Sequence, residues 1–256
     1  MPEASELEIY QSLETEIIGR PLVHFDNLPS TMDETKSRAE NGAEEGLVVL
    51  AEKQTAGRGR FHRKWVSPPY KNLYFSILLK PNPEQLAQMN MAITLGIVDG
   101  IKSETRLRPT IKWPNDLRLK RRKLCGILIE GKISNLENSY LIIGIGINVN
   151  LKVGLYPELI PIATSILEES GVECSRPKLL SAVLNNIEKR YISLKGSNTI
   201  MQEWKSLLDN LGEQITIRIG GSTEVGIARD VDRNGNLILE RGDGSELVVP
   251  AGEIIS

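Results

Sequence analysis

The period of the apolar positions changes several times along the chain. Leu7, Tyr10, Leu13 and Ile17 recur at helical spacing over residues 6–18, and "PLVHF" follows as a short strand. "STMDETKSRAENG" offers Thr31 as an N-cap with Glu34 three places on, the pattern of a capping box, and predicts a helix that stops at Gly42. "GLVVLA" (46–51) and "NLYFSILLK" (72–80) are apolar runs of strand length, and residues 84–104 predict a long helix entered through Pro83. "TIKW", "DLRLK", "LCGILIEG" and "YLIIGIGINV" predict four more strands, with "KRRK" as a tight link between the second and third. Three further helical stretches fall at about 159–169, 177–195 and 199–209.

Successive strands joined by short links pair antiparallel, because a parallel pair needs a long crossover. The expected class is α+β with a mixed, largely antiparallel sheet and helices. After Gly212 the texture changes: "EQITIRIGGSTEVGIARDVDRNGNLILERGDGSELVVPAGEIIS" alternates four short strand candidates with "GGS", "RNGN" and "GDGS", where Asn-Gly and Asp-Gly are strong hairpin signals. The expected organisation is a larger unit over 1–210, with a short N-terminal extension at 1–21, followed by a small all-β barrel at 211–256. A barrel this short is near the lower limit for independent stability, so it should pack on the larger unit.

Composition narrows the function classes. The 256 residues are 40% hydrophobic and 25% charged, which is ordinary for a globular protein, and the formal net charge of -2 argues against general binding to nucleic acid or anionic membrane. Cys125 and Cys174 are the only cysteines, and His24 and His62 stand far apart without ligand spacing, so no structural metal site is expected. No apolar stretch reaches membrane-spanning length, and the acidic N-terminus lacks the basic start of a secretory signal; a cytoplasmic protein is expected.

Against that balanced background, "AEKQTAGRGRFHRKW" (51–65) concentrates positive charge between bare glycines. Glycine lets backbone N–H groups approach an oxyanion, and Arg58, Arg60 and Arg63 supply planar donor forks suited to phosphate or carboxylate. Two familiar phosphate motifs fail here. "GILIEGK" (126–132) has the Walker A spacing, but its interior reads as a strand and Ile133 stands where Ser or Thr should meet the metal. "GIGIN" (144–148) begins like a dinucleotide fingerprint, but its third glycine would fall on Val149. In "IKWPNDL" (111–117), Pro114 ends strand pairing and leaves Lys112, Asn115 and Asp116 at a strand end; Lys123 opens the next apolar run.

In order along the chain, "STMDE", "QTAGRGRFHRKW", "NLYFSILLKP", "IKWPNDL", "RKLCGILIE" and "IIGIGINVN", with the β-rich tail, closely resemble the biotin protein ligases from about residue 22 to the end. The resemblance implies a catalytic unit of the class II synthetase-like biotin/lipoate ligase type and an SH3-like C-terminal barrel. It also implies a two-step reaction: biotin and MgATP give biotinyl-5'-AMP and pyrophosphate, and the acyl group then passes to a lysine of a biotin carboxyl carrier protein. By the same resemblance Ser30, Thr31, Gln54, Arg58, Gly59, Arg60, Lys123 and Gly126 surround biotin. Arg58, Arg60, Arg63, Trp65, Lys112, Asn115, Asp116, Gly144, Gly146 and Asn148 face the nucleotide, and Lys123, Arg60 and Lys112 carry the catalysis. Members of the family often have a third glycine where this chain has His62, which bears on how freely the loop moves before ligand binds. Only about twenty residues precede "PLVHF", too few for the DNA-binding domain of members that are also repressors, so no DNA binding is expected. Family members often form homodimers, and the same is expected here.

Three rivals remain distinguishable. A lipoate or octanoate ligase of the same superfamily would need an apolar slot where Ser30, Thr31 and Gln54 offer polar partners. An acyltransferase with Cys125 as nucleophile would need a reactive thiol. A single-strand nucleic-acid binder built on the Arg/Gly loop and the tail would bind in a salt-sensitive way and turn over no ATP.

Overall fold

The computed structural model describes residues 6–132, 139–194 and 199–256. The larger sheet has seven strands: β1 (Leu22–Phe25), β2 (Val48–Ala51), β3 (Leu73–Leu79), β4 (Thr110–Lys112), β5 (Asp116–Leu119), β6 (Arg122–Lys132) and β7 (Tyr140–Ile147). Their order is β1-β2-β3-β7-β6-β5-β4; only the β1–β2 pair is parallel. That pair is the one separated by a helix, α2 (Thr31–Glu40), as a crossover connection requires. The mixed, largely antiparallel α+β class expected from the link lengths is the one observed.

Side-chain alternation assigns the two faces of the sheet. On β3, Leu73, Phe75, Ile77 and Leu79 face one continuous core, joined by Leu141, Ile143, Ile145 and Ile147 of β7. Against this face lie α1 (Glu6–Ser12), α3 (Leu86–Thr105), α5 (Arg176–Ser193) and α6 (Thr199–Ser206). The α3–α5 contact is close because Gly96 and Gly100 lie on one α3 face; a Cβ there would come within 2.6 Å of the Ile187 and Val183 Cα atoms. The other face is thinner: Met32 of α2 packs with Leu47, Val49, Leu78, Tyr140 and Ile142.

The tail forms a five-stranded antiparallel sheet from β8 (Gln214–Ile219), β9 (Ser222–Val231), β10 (Leu237–Glu240), β11 (Glu246–Val249) and β12 (Glu253–Ile254), ordered β11-β10-β9-β8-β12. Ile215, Ile217, Leu237 and Leu239 belong to the same apolar core as the main sheet, so the tail packs on the larger unit.

Several local expectations are corrected. The first helix ends at Ser12 rather than 18, and Glu188 of α5 accepts the backbone N–H groups of Glu16, Ile17 and Ile18, drawing that stretch out of helical pairing. Ser30, not Thr31, is the N-cap of α2, and it makes no side-chain capping bond. Thr31 instead turns its hydroxyl to Gln54 and Ser76. Of the stretch 159–169, only α4 (Ile166–Ser170) is partly helical, capped by Ser165 accepting from the Glu168 N–H. The tail has five strands rather than four, β12 being too short to signal itself. The "KRRK" link is a two-residue hairpin turn, with Lys120 and Arg121 both at positive φ (47° and 65°). Residue 195, the expected end of α5, and Ile133 lie outside the described residues.

Beneath the main sheet, Glu52 of the loop after β2 is 0% exposed and pairs with Arg176 Nη1 at 2.6 Å and His24 Nε2 at 3.1 Å. Burial pushes the Glu52 carboxyl up, but the hydrogen bonds from His24 and Arg176 and their charges outweigh it and hold the pKa below the usual value. Its stabilising contribution is therefore complete above the ordinary glutamate range and is lost as pH falls through the lowered folded pKa. Glu52→Ala would strand the buried Arg176 charge and is expected to cost about 3–5 kcal/mol in urea unfolding at neutral pH. The acid limb of the stability profile should flatten in the variant.

Candidate active site

Alternation that fills the core also empties a site. Along "YLIIGIGI" the core face carries four branched residues, while the opposite face runs Tyr140, Ile142, Gly144, Gly146, from two large side chains to none. Gly126 of β6 pairs directly with Gly146, so the bare patch extends across two strands. A cavity of about 430 Å³ lies over it, within the range of small-molecule sites. Trp65 rests on this floor: a Cβ on Gly146 would come within 2.5 Å of the indole Cε2, and one on Gly126 within 2.8 Å of Cζ3. A Cβ on Gly144 would meet Met32 Sδ at 2.5 Å. "GIGIN" is thus a strand whose glycines clear space, not a phosphate-binding loop.

One end of the cavity is polar and neutral. The N-terminus of α2 presents Ser30 and Thr31, and Gln54 Oε1 accepts from the Thr31 N–H at 2.9 Å and from its hydroxyl at 3.2 Å. Thr31 Oγ1 also meets Ser76 Oγ at 2.8 Å, and Gln54 Nε2 donates to Ser67 Oγ at 3.3 Å. This chain of small polar groups fixes each rotamer before any ligand arrives.

The other end is cationic. The arginine loop closes on itself through Gly59 N–H to Arg63 O (2.7 Å) and Trp65 N–H to Gly57 O (2.8 Å). Arg60 donates to the Gly252 carbonyl at 2.9 Å and Arg63 pairs with Glu253, so the loop is clipped to the start of β12. Arg58 instead spans Asp33 (2.7 Å) and Glu130 (3.2 Å). Burial works against the Arg58 charge, but these two carboxylates outweigh it and raise its pKa. Lys123 Nζ pairs with Asp116 at 2.8 Å and sits 5.4 Å from the Trp65 ring centre.

Lys112 and Arg60 differ from their neighbours: among the described residues neither is in a salt bridge, yet both are half-buried in the cavity wall. Burial lowers the Lys112 pKa, and the cations Arg118 and Lys123 add to it against the pull of Asp116 and Glu253. Burial likewise lowers that of Arg60, with Asp116 and Glu253 opposing and Arg63 assisting. Two cations held partly out of water, with no carboxylate in direct contact, form a site for an anion.

Every residue that the resemblance implies for the site lines this one cavity: Ser30, Thr31, Gln54, Arg58, Gly59, Arg60, Arg63, Trp65, Lys112, Asn115, Asp116, Lys123, Gly126, Gly144, Gly146 and Asn148. They are not equally free. Asn115 Nδ2 donates to the Ile127 carbonyl at 2.6 Å and Asn148 Nδ2 to the Thr164 carbonyl at 3.0 Å, so both amides also brace the walls. The Trp65 indole N–H is buried without a hydrogen-bond partner among the described residues. Sequence reasoning missed Met32, Phe61, Arg118, Arg121, Glu253 and the 159–163 segment, all of which line the cavity. Arg118 is bound to Asp209 by two hydrogen bonds and Arg121 to Glu213. The basic turn "KRRK" hinted at Arg121, whereas Arg118 lies within "DLRLK", which signalled only a strand. Cys125 faces the core with no exposure, and burial pushes its thiol well above the usual range, which removes it as a nucleophile.

The bare floor is testable by filling it. Gly146→Val should keep the fold, since β7 pairing needs no glycine there, but push Trp65 off the strand. A changed tryptophan emission spectrum with an unchanged circular dichroism spectrum is the expected result.

Residues 24–148 match the profile of the Biotin/lipoate A/B protein ligase family, and residues 211–255 match the Biotin protein ligase C terminal domain. The chain is 35% identical over 252 residues to the bifunctional ligase/repressor BirA of Bacillus subtilis, a match covering 96% of this chain and 78% of that one. It is 30% identical over 259 residues to the biotin–[acetyl-CoA-carboxylase] ligase of Mycobacterium tuberculosis, covering 96% and 94%. The biotin protein ligase of Aquifex aeolicus, solved in complex with biotin and ATP, aligns with a TM-score of 0.79 at 28% identity, over 91% of this chain and 97% of that one. A bare-floored cavity with a neutral polar end and a cationic end, in a chain this similar along nearly its whole length, leads to one conclusion: the protein belongs to the biotin/lipoate protein ligase family.

Proposed function

We propose that this protein is a biotin–[biotin carboxyl-carrier protein] ligase, organised as a catalytic unit over 1–210 and a barrel over 211–256. It activates biotin with ATP and transfers it to a carrier lysine. The observation that carries this reading is the pair of half-buried cations outside any salt bridge among the described residues, Lys112 and Arg60, in the same cavity as the neutral cluster Ser30, Thr31 and Gln54. A neutral ring urea fits the second group, and a phosphate chain fits the first.

In the first step a biotin carboxylate oxygen attacks the α-phosphorus of ATP; a C–O–P linkage forms and the bond to pyrophosphate breaks. Both reactants are anionic, so their approach needs fixed positive charge. Lys123, Lys112 and Arg60 supply it without reorganising, in a partly desolvated cleft. Arg58 and Arg63 flank the nucleotide, Trp65 offers its face and orphan N–H, and the Gly126, Gly144 and Gly146 floor lets the ligand lie flat on the sheet. Asn115, Asp116 and Asn148 hold the walls that frame the intermediate. Magnesium enters with the nucleotide, as MgATP. Among the described residues no helix is long and apolar enough to cross a membrane.

The direct experiment is biotin-dependent exchange of labelled pyrophosphate into ATP, with lipoate and octanoate in parallel; exchange with biotin alone is expected. Arg60→Ala should lower the exchange rate by roughly a hundred- to thousandfold.

Nucleotide affinity should also respond to pH. The Lys112 ammonium binds the anion only while protonated, so affinity is present below its pKa and lost as pH rises through it. That pKa is lowered, so the loss should begin on the acid side of an ordinary lysine's, about 10.4. In Lys112→Arg the alkaline loss should move to higher pH, as calorimetric titration of ATP would show.

A further inference from the structure

Two buried hydroxyls stand at the ends of the neutral polar cluster. Ser76 of β3 is fully buried and pairs with Gly144 in the β3–β7 register, and Ser67 follows the arginine loop. Neither lines the main cavity, whereas their partners Thr31 and Gln54 do.

Groups that can only donate or only accept fix the direction of each hydrogen bond in the cluster. The Thr31 backbone N–H can only donate, so the Gln54 atom 2.9 Å from it is the amide oxygen, and the amide nitrogen donates to Ser67 Oγ at 3.3 Å. Ser67 donates in turn to the Trp65 carbonyl at 3.1 Å. Thr31 has one hydroxyl proton, and Gln54 Oε1 lies 3.2 Å from it. Ser76 Oγ lies 2.8 Å from Thr31 Oγ1, its one side-chain hydrogen-bond partner among the described residues. Were Thr31 to donate to Ser76, the Ser76 proton would be buried without an acceptor, which is costly. Ser76 is therefore the donor, and the chain runs one way, from Ser76 through Thr31, Gln54 and Ser67 to the Trp65 carbonyl.

We propose that Ser76 is a positioning residue for biotin recognition: by donating to Thr31 it holds the Thr31 proton on Gln54 and leaves Thr31 as a hydrogen-bond acceptor for the ligand. The inference rests on the ligase reading above. A bond received at Thr31 Oγ1 polarises its O–H and strengthens the bond onward to Gln54. What remains for the ligand is one lone pair on Thr31 and the second N–H of Gln54, an acceptor beside a donor. A ring urea carries the complement, an N–H beside a C=O; the hydrocarbon end of an octanoyl chain carries neither. Without Ser76 the Thr31 proton is free to turn into the cavity, where it would oppose the N–H of the urea. Gly57 makes room for this chain, since a Cβ there would come within 2.9 Å of both Ser67 Oγ and the Trp65 carbonyl oxygen and 3.0 Å of Gln54 Nε2.

The test combines calorimetric titration of the full-length protein with biotin and, separately, with ATP, and kinetics of biotin-dependent pyrophosphate exchange. Ser76→Ala should weaken biotin binding and raise the KM for biotin about five- to tenfold, the worth of one net hydrogen bond, with kcat and ATP binding within about twofold. Ser76→Thr keeps the hydroxyl and should restore biotin binding to within about threefold. Thr31→Val gives a check that does not depend on how a threonine fits the strand. In that background Ser76→Ala should weaken biotin no further and should raise the melting temperature, because it removes a donor left without an acceptor.

Unchanged biotin binding in Ser76→Ala, an equal loss for ATP, or a further loss on adding Ser76→Ala to Thr31→Val would overturn the assignment. So would a Ser76→Thr variant of unchanged melting temperature that binds biotin no better than Ser76→Ala. Absence of both biotin binding and biotin-dependent exchange in the unaltered protein would instead overturn the ligase reading.

Discussion

The site depends on a steric constraint in two neighbouring strands. β6 and β7 must be fully paired and heavily apolar on their helix-facing side, yet carry almost nothing on the other side over three positions. Gly126, Gly144 and Gly146 meet both demands, because a period of two keeps the helix-facing isoleucines separate from the bare patch. Glycine is costly within a strand, and here the cost is offset by long pairing with β3 and β5 on either side. Without that clearance Trp65 has no seat and the cations have no cleft to face.

Charge is distributed over this floor unequally. Arg58, Arg63, Lys123, Arg118 and Arg121 each have a carboxylate partner, which fixes their geometry and spreads their positive field through the walls. Lys112 and Arg60 are held among them without one. Placing a few unpaired cations inside a frame of paired ones lets the protein fold stably and still meet its ligand with unneutralised charge.

The tail is part of that frame. The Trp113 indole donates to the Gly235 carbonyl at 2.9 Å, Asn210 accepts the Trp113 N–H at 2.9 Å, and Arg60 and Arg63 reach Gly252 and Glu253. The small sheet therefore touches both the "KWPND" turn and the arginine loop. A module near the lower size limit for independent stability gains burial and position from the same interface.

Much of this was legible in the sequence. The strands β3, β6 and β7, the long helix α3, the antiparallel class and the change of texture at Gly212 follow from short-range periodicity and turn chemistry, which depend only on near neighbours. The arginine loop was also legible, because charge set between glycines is conspicuous in a nearly neutral chain, whereas Ser30, Thr31, Gln54, Trp65 and the strand glycines stood out only through the resemblance to the biotin protein ligases. What the sequence could not carry were contacts between distant segments. Glu188 unwinds the end of α1 from 170 residues away, Gln54 and Ser76 take the Thr31 hydroxyl from its cap, and Glu253 holds an arginine loop 190 residues earlier. "GIGIN" was legible as a strand, but that its glycines clear a seat for Trp65 shows only once the loop is folded over β6 and β7. The sequence by itself determined which elements form and which residues bear chemistry, since both are local properties. Only the tertiary structure decided which cations stay outside salt bridges and which side chains close around the cavity, since both depend on partners brought together from far along the chain.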